Sequence, residues 1–252
     1  NEAFVVDRAT RDRLIAEDSS SEEVLKPFLR GRDVKRWRVD FAEQYLIKIE
    51  SSENKQHPWS DKKDSEAENI FAETHPTIHA HLESYRDKLI KRDDQGKYFW
   101  ELRSCKYWRE FEQPKIIYPD IAQRPEFTYD IHSFYTVNTL YILPTKNIWL
   151  TGLLNSRLIF WLYTKSSSQI RGNFVRYIAQ YVSQIPIATG PETDHIQKIV
   201  DSIFTITEKI PTADISDREA EIDLLVYGLY GLTKDEIRII RDKTNVGEKS
   251  IF

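Results

Sequence analysis

The spacing of apolar positions divides the chain into a mixed first part and a helical last part. Short runs rich in β-branched and aromatic residues predict strands at 45–49, 115–118, 126–129 and 134–143. Helical spacing predicts helices at 9–29, 77–91, 150–163, 177–183, 192–209 and 216–230, and a capping-box sequence at Thr233 begins a last helix. The sequence therefore predicts an α+β body of mixed strands and helices, followed by a helical C-terminal segment.

The strongest boundary signal is the turn sequence Thr189-Gly190-Pro191. The strands all precede it, and amphipathic helices follow it. We therefore expect one domain over residues 1–190 and a helical segment over residues 191–252.

Composition restricts the class of protein. Apolar residues make up 40% of the chain and charged residues 30%, as in soluble globular proteins. Cys105 is the only cysteine, which excludes an internal disulfide and favours a reducing, cytoplasmic setting. No apolar run reaches the ~18 residues that cross a bilayer, so we expect no membrane association. The sequence begins at Asn1 and contains no methionine, which is typical of a piece of a longer chain.

Acidic residues are absent from Ile131 to Pro191, a window of 61 residues. An even distribution of the 40 acids over 252 residues would place about ten there. The window carries five cations in a chain of net charge −4. Since carboxylates repel phosphate, this pattern is typical of a polyanion site. A buried stretch without room for charge is the alternative, and residues 153–163 fit it.

A basic turn lies at Arg30–Arg38, with the sequence RGRDVKRWR. Arginine pairs well with phosphates and guanine edges, Gly31 lets a ligand approach the backbone, and Trp37 offers a flat apolar face. The alternative is a solvated turn that balances the acidic run Glu17–Glu23.

Two further segments combine cations with binding features. Glu101–Arg109 interleaves basic and aromatic residues, which suits stacking and backbone contact but is also typical of an amphipathic surface. Arg171–Tyr177 contains a Gly-Asn pair that tolerates positive φ, so a tight loop could present Arg171 and Arg176 together. A structural β-turn is the alternative there.

The sequence contains three closely spaced histidines, His75, His79 and His81. His75 and His79 would share a helical face, but Pro76 separates them, and no carboxylate at ligand spacing completes a metal site. A surface helix start is the favoured interpretation.

Catalytic motifs are missing from the sequence. Asp120 and Glu126 resemble the start of a PD-(D/E)xK nuclease core, but Thr128 stands where the lysine is required. There is no Gly-rich phosphate loop, nucleophile elbow, HExxH or Asn-Pro-Pro-Tyr sequence.

Six segments in order carry a family resemblance. They are Asn1–Arg36, Trp100–Tyr107, Pro114–Asp120, Leu153–Ser156, Arg171-Gly172 and Glu221–Glu236. Together they resemble the C-terminal specificity domain of type IIG restriction–modification enzymes, the TaqI-like target-recognition family. Residues 153–187 also resemble target-recognition domains of type I specificity subunits.

The resemblance implies a non-catalytic module that reads double-stranded DNA. It also implies an upstream methyltransferase domain that binds S-adenosylmethionine and methylates adenine N6, and a nuclease domain that uses Mg²⁺. No cofactor is expected within this chain itself. Residues carried over from the shared segments are Arg30, Gly31, Arg32, Lys35, Arg103, Lys106, Arg171 and Gly172. The basic patterns add Arg36, Asn173 and Arg176 as DNA-binding candidates. We expect one connected face to carry seven of these cations: Arg30, Arg32, Lys35, Arg103, Lys106, Arg171 and Arg176.

Three other functions remain open from the sequence. The many aromatic residues suit a single-stranded DNA or RNA binder. A self-contained nuclease or methyltransferase would need the missing motifs, and a protein-interaction scaffold is supported only by the helical end of the chain.

Overall fold

Short strands and helices alternate along the chain, and the computed structural model describes residues 3–136, 138–167, 169–170 and 174–244. In chain order the elements are β1 (Val5–Asp7), α1 (Arg8–Glu17), α2 (Ser21–Val24), β2 (Leu25–Leu29), β3 (Val34–Lys35), β4 (Arg38–Val39), β5 (Gln44–Ile47), α3 (Asp64–Thr74), α4 (Pro76–Glu83), α5 (Arg86–Ile90), β6 (Lys115–Pro119), β7 (Ile121–Ala122), β8 (Thr128–Asp130), β9 (Tyr135–Thr136), β10 (Leu140–Pro144), α6 (Trp149–Asn155), α7 (Arg157–Ser166), β11 (Gln169–Ile170), β12 (Phe174–Arg176), α8 (Ala179–Val182), α9 (Glu192–Lys209), α10 (Ser216–Leu229) and α11 (Lys234–Thr244). The predicted α+β class is confirmed.

The chain forms two compact units that interleave in sequence. Unit 1 consists of residues 1–29, 41–112 and 133–135, and unit 2 of residues 30–40, 113–132 and 136–252. The boundary predicted at Gly190-Pro191 falls within unit 2 and stays a prediction.

Unit 1 contains a four-stranded sheet with the order β1-β5-β2-β9. Strand β5 is central and pairs antiparallel with β1 and β2. Its position was predicted from the alternation at residues 45–49. Helix α1 follows β1 directly, because the Asp7 carboxylate accepts the Thr10 N–H at 2.8 Å and caps the helix.

The predicted helix over residues 9–29 is wrong in its second half. Helix α1 ends at Glu17, and the next carboxylate, Asp18, accepts the N–H and hydroxyl of Ser20. Residues 25–29 form strand β2, which contains Pro27 and pairs with β5. Proline disfavours a helix interior, and pairing with a distant strand decided the local conformation.

An aromatic stack forms the core of unit 1 around Trp100. The Phe71 and Trp100 rings stack at 5.0 Å, and Tyr98 stacks on Trp100 at 4.7 Å. Trp59 is 1% exposed and packs edge-on against Phe71. Its indole N–H donates to the buried Glu101 carboxylate at 3.0 Å. The acid of the 101–109 segment therefore serves an internal hydrogen-bond network.

The described residues of unit 2 form two three-stranded antiparallel sheets and a short hairpin. The sheets have the orders β10-β6-β8 and β11-β12-β7, and the hairpin joins β3 to β4. The single strand predicted over 134–143 is divided into β9 and β10, which belong to different sheets. Alternation alone does not reveal such a break, because both strands continue the same pattern.

The other described elements of unit 2 are helices. Helix α9 has the predicted bounds, and the capping box is present, since the Thr233 N–H donates to Glu236 at 2.8 Å. The helix predicted at 150–163 is two helices, because Ser156 ends α6 and caps α7. Gly152 lets α6 approach α9, where an added Cβ would lie 2.8 Å from both Ile196 and Val200. No helix among the described residues has the length and apolarity needed to cross a membrane.

Candidate nucleic-acid interface

The basic turn is an ordered hairpin with a buried acid at its base. The Asp33 side chain is 4% exposed and accepts the N–H of Arg30 at 2.7 Å. The Gly31 N–H donates to the Thr139 hydroxyl at 3.3 Å, and an added Cβ would lie 3.2 Å from that oxygen. The glycine therefore serves close packing within unit 2. Asp33 restrains the backbone that carries the cations.

Arg36 and Trp37 form the tip of the hairpin and point into unit 2. The Arg36 guanidinium donates to Glu219 at 2.5 Å and to the Pro125 carbonyl at 3.1 Å. The Trp37 indole N–H donates to the same Glu219 oxygen at 2.6 Å, and the Trp37 backbone N–H donates to the Phe127 carbonyl. Trp37 is 2% exposed, so the expectation that it offers a flat surface for stacking is wrong.

The remaining cations of the hairpin are accessible. Arg30 and Arg32 are exposed, and Lys35 and Arg38 are half-buried. Arg38 pairs with Asp40 at 2.8 Å. Arg32 lies 3.9 Å from Asp33 with 73% of its side chain exposed, so this ion pair is weak. The tip is anchored while the cations beside it reach solvent.

Strand β12 brings a further predicted cation beside strand β7. Arg176 is paired in register with Ile121, and its guanidinium lies 3.3 Å from the Asp120 carboxylate. About half of the Arg176 side chain is exposed. Residues 131–191 contain no acid in sequence, but the fold places the Asp120 carboxylate beside Arg176 of this window.

Glu126 lies between Pro125 and Phe127, the two residues to which the hairpin tip is hydrogen-bonded. Burial raises the pKa of the Glu126 carboxyl, and four surrounding cations oppose this shift. These cations are Lys35, Arg124, Arg36 and Arg38. The structure therefore brings the hairpin and the segment after β7 together around one carboxylate.

The predicted site omitted Arg124, Arg38 and Glu126. Arg38 lies within the basic run and could have been included on composition. Arg124 and Glu126 have no local signal, because only the folded hairpin places them among the other cations.

Two other predicted cations, Arg103 and Lys106, belong to unit 1. Arg103 is 61% exposed and lies 3.9 Å from the exposed Asp94, while Lys106 is exposed. Their common face with the hairpin cations stays a prediction. Arg171, Gly172 and Asn173 lie outside the described residues, so their predicted role also stays a prediction.

The histidines of unit 1 take part in internal contacts. His81 contacts the Ala3 carbonyl at 2.9 Å, and His75 is buried. One ligand atom each of His79, Glu68 and Glu83 lies within 4.8 Å of the other two, which is close enough to hold a metal ion. Arg86 already bonds both carboxylates, which gives this group the character of an ion-pair network.

Comparison with known proteins identifies this architecture. The family model of the TaqI-like C-terminal specificity domain matches residues 26–187, more than half of the chain. The chain belongs to this family. The match to the TaqI-like family contains the hairpin, Glu126 and Arg176, and it ends before helix α9.

Two curated relatives extend the similarity to named proteins. The chain is 22% identical over 224 residues to the type II methyltransferase M.BstVI of Geobacillus stearothermophilus, covering 87% of this chain and 36% of that protein. It is 25% identical over 178 residues to the type II methyltransferase M.BanIII of Aneurinibacillus aneurinilyticus, covering 63% of this chain and 28% of that protein. This TaqI-like chain thus spans about a third of the length of these relatives.

A solved structure shares the fold. The chain superposes with a TM-score of 0.62 and 15% identity on the type IIL restriction–modification enzyme MmeI, whose structure was determined in complex with DNA. The similarity covers 98% of this chain and 34% of MmeI. Nearly all of the TaqI-like chain, including its C-terminal helices, therefore has a counterpart fold within that larger enzyme.

Proposed function

We propose that this chain is the module that recognises a specific duplex DNA sequence for a type II restriction–modification methyltransferase. Membership of the TaqI-like specificity family supports this function, and the two curated relatives are type II methyltransferases. The structural neighbour MmeI was solved with DNA.

One observation carries the proposal at the level of residues. The β3–β4 hairpin is fixed by Asp33, Arg36 and Trp37, while Arg32 and Lys35 stay accessible beside it. A rigid support that presents charged groups loses little conformational entropy when DNA binds. We assign Arg36 a positioning role, because its guanidinium is held by Glu219 and Pro125.

Around this hairpin, cations and a carboxylate have different tasks. Lysine and arginine neutralise backbone phosphates, which sets affinity but carries no sequence information. A carboxylate such as Glu126 repels phosphates but accepts a hydrogen bond from the cytosine amino group in the major groove. We propose Glu126 as a base-reading residue within the basic surface.

Catalysis is proposed to lie outside this chain. The sequence lacks the Asn-Pro-Pro-Tyr motif that holds a flipped adenine. Binding of S-adenosylmethionine and Mg²⁺ would then belong to other domains of the complete gene product. Purified chain is expected to neither methylate nor cut DNA, with or without these two additions.

The single-strand alternative loses part of its support in the described residues, although Tyr107 and Phe174 are exposed. Trp37, Trp59 and Trp100 are each at most 2% exposed, so their rings are not available for stacking on bases.

The salt dependence of duplex binding tests the proposed function. The candidate phosphate contacts are Arg30, Arg32, Lys35, Arg124 and Arg176. If these five cations meet phosphates, the slope of log affinity against log salt should be about −4.5. Raising salt from 50 to 200 mM would then weaken binding by roughly 500-fold. Fluorescence anisotropy on this chain and on the complete gene product would measure both quantities.

Single replacements make the test residue-specific. Lys35→Gln should flatten the slope by about one unit and weaken all duplexes alike. Lys209→Gln removes the same charge from the exposed end of α9 and is the matched control. A slope near zero, or no duplex binding by the complete gene product, would contradict the proposed function.

A further inference from the structure

Helices α7, α10 and α11 of unit 2 enclose an open cavity of about 600 Å³. Its ionisable lining consists of four cations and two acids: Arg157, Lys234, Arg238, Arg241, Asp223 and Asp242. The volume lies in the range of small-molecule sites. The three cations of α11 lie beyond residue 187, where the family match ends.

One of the two acids already has a partner. Asp223 Oδ1 accepts the backbone N–H of Arg157 at 2.8 Å. The Arg157 Nε lies 3.2 Å from Asp223 Oδ2. This pair sits at the first residue of α7, on the wall of the cavity. Its two charges offset each other, which leaves the α11 cations to set the charge of the cavity.

The α11 cations lie at positions i, i+4 and i+7, which share one face of a helix. Lys234 and Arg241 have no ion-pair partner in the part of the chain that the structure describes, and Arg238 has only an exposed pair with Asp235 at 3.2 Å. The row extends about 10 Å along the helix axis. Asp242 opposes it, but the described lining residues together keep two excess positive charges.

A buried donor lies near the same residues. Tyr227 is 1% exposed, and its hydroxyl has no hydrogen-bond partner among the described residues. It interacts electrostatically with Asp223, Arg157 and Arg241, all of which line the cavity. Burial raises the pKa of Tyr227 to about 12, so the hydroxyl keeps its proton at neutral pH. Buried polar groups without a partner are rare in folded proteins.

We propose that this cavity binds a phosphate group. Arginine side chains match phosphate oxygens in charge and geometry, and the Lys234 ammonium adds a further charged donor, while the Tyr227 hydroxyl lies outside the lining and stays neutral. Among the described residues no aromatic ring lines the cavity, so these residues offer no surface for stacking a base. A free phosphate compound and a backbone phosphate of DNA have this chemistry in common.

Titration of the 252-residue chain with inorganic pyrophosphate tests the site, with heat or NMR shifts as the signal. Two lining cations are removed together in Lys234→Gln/Arg241→Gln. The affinity for pyrophosphate is expected to fall at least about tenfold, because charge-assisted hydrogen bonds are lost. The matched control Lys209→Gln/Lys243→Gln removes two exposed cations outside the cavity, one of them on α11 itself.

The replaced side chains are exposed. Lys234 stands in the first turn of α11, where a positive charge is unfavourable to the helix dipole, and Arg241 stands in the last turn, where it is favourable, so the effects of the two replacements offset each other. Thermal denaturation should therefore give the same midpoint for the cavity variant as for the parent chain. Absence of pyrophosphate binding by the parent chain, or equal losses in the cavity and control variants, would overturn the proposal.

A competition experiment with duplex DNA distinguishes the two sources of phosphate. If a 20-base-pair duplex displaces pyrophosphate and binds less tightly to the cavity variant, the ligand is the DNA backbone. If pyrophosphate binds undisturbed by the duplex, the ligand is a free phosphate compound. Both results support a phosphate site. If the duplex does not bind at all, the proposed function is contradicted. The pyrophosphate titration would still show whether the cavity binds phosphate.

Discussion

The Arg36 guanidinium and the Glu219 carboxylate are hydrogen-bonded at 2.5 Å although 183 positions separate them in sequence. The Trp37 indole donates to the same carboxylate oxygen. Both side chains of the ion pair are largely buried, with 14% and 28% exposure. The tip of the basic hairpin is therefore fixed to helix α10 by one shared acceptor.

Removing this acceptor should destabilise the protein. Glu219→Ala leaves the Arg36 charge and the Trp37 donor without their partner, so the free energy of unfolding should fall by about 3 kcal/mol. Urea denaturation would measure the change. Glu221→Ala on the same helix removes an acid that is 49% exposed, and it should cost less than about 1 kcal/mol. Equal losses in the two variants would show that the shared contact contributes no special stability.

Lys115 and Asp130 form a fully buried ion pair across strands β6 and β8, at 2.5 Å. Burial lowers the pKa of Lys115, and Asp130 opposes that shift. Asp130→Asn leaves a buried charge without its counterion and should cost about 3–5 kcal/mol of unfolding free energy. The double change Lys115→Met/Asp130→Leu removes both charges and should cost less than the single change.

Urea denaturation of Lys115→Met, Asp130→Leu and the double change completes this comparison as a double-mutant cycle. Additive losses from the two singles would contradict the expected coupling between the side chains.

Glu126 should affect which base is preferred, whereas Arg124 should affect affinity for all sequences. This prediction rests on the proposed function. Glu126→Gln exchanges an acceptor-only group for one that also donates, so discrimination at one base pair should change by about 1–3 kcal/mol. Arg124→Gln should weaken every duplex alike. Selection from randomised duplexes followed by sequencing would separate the two effects.

The control for this experiment is Glu208→Gln, an exposed change near the end of α9. The selected consensus should be identical for this variant and the parent chain. An unchanged consensus for Glu126→Gln would remove Glu126 from the base-reading residues.

Asp223 should make stability depend on pH. Burial raises its pKa from 3.8 to about 6, and its contacts with Arg157 only partly oppose this. The folded protein therefore holds the proton more tightly than the unfolded chain. The resulting stabilisation is fully present below about pH 3.8 and is lost as pH rises through about 6. A shift of about two pKa units corresponds to about 3 kcal/mol.

The measurement compares the parent chain with Asp223→Asn by urea denaturation at pH 4 and pH 7.5. The difference in unfolding free energy, parent minus variant, should be larger at pH 4. Asp217→Asn, an exposed change on the same helix, is the matched control. A difference that does not vary with pH would contradict the prediction.

The sequence alone determined the elements whose hydrogen bonds and apolar faces are local. Helix α9 has its predicted bounds, and α11 begins at the predicted capping box, because both signals lie within a few residues of the bonds they describe. Family membership was also readable from ordered segments and is confirmed by the match over residues 26–187.

The tertiary structure decided which groups meet across long distances. Residues 25–29 became a strand because β5 was available as a partner. Arg36 met Glu219 and Arg176 met Asp120, so cations from a basic turn and from a stretch without acids gained carboxylate partners. Strand pairing and ion pairs join residues far apart in the chain, and neither periodicity nor composition records those neighbours.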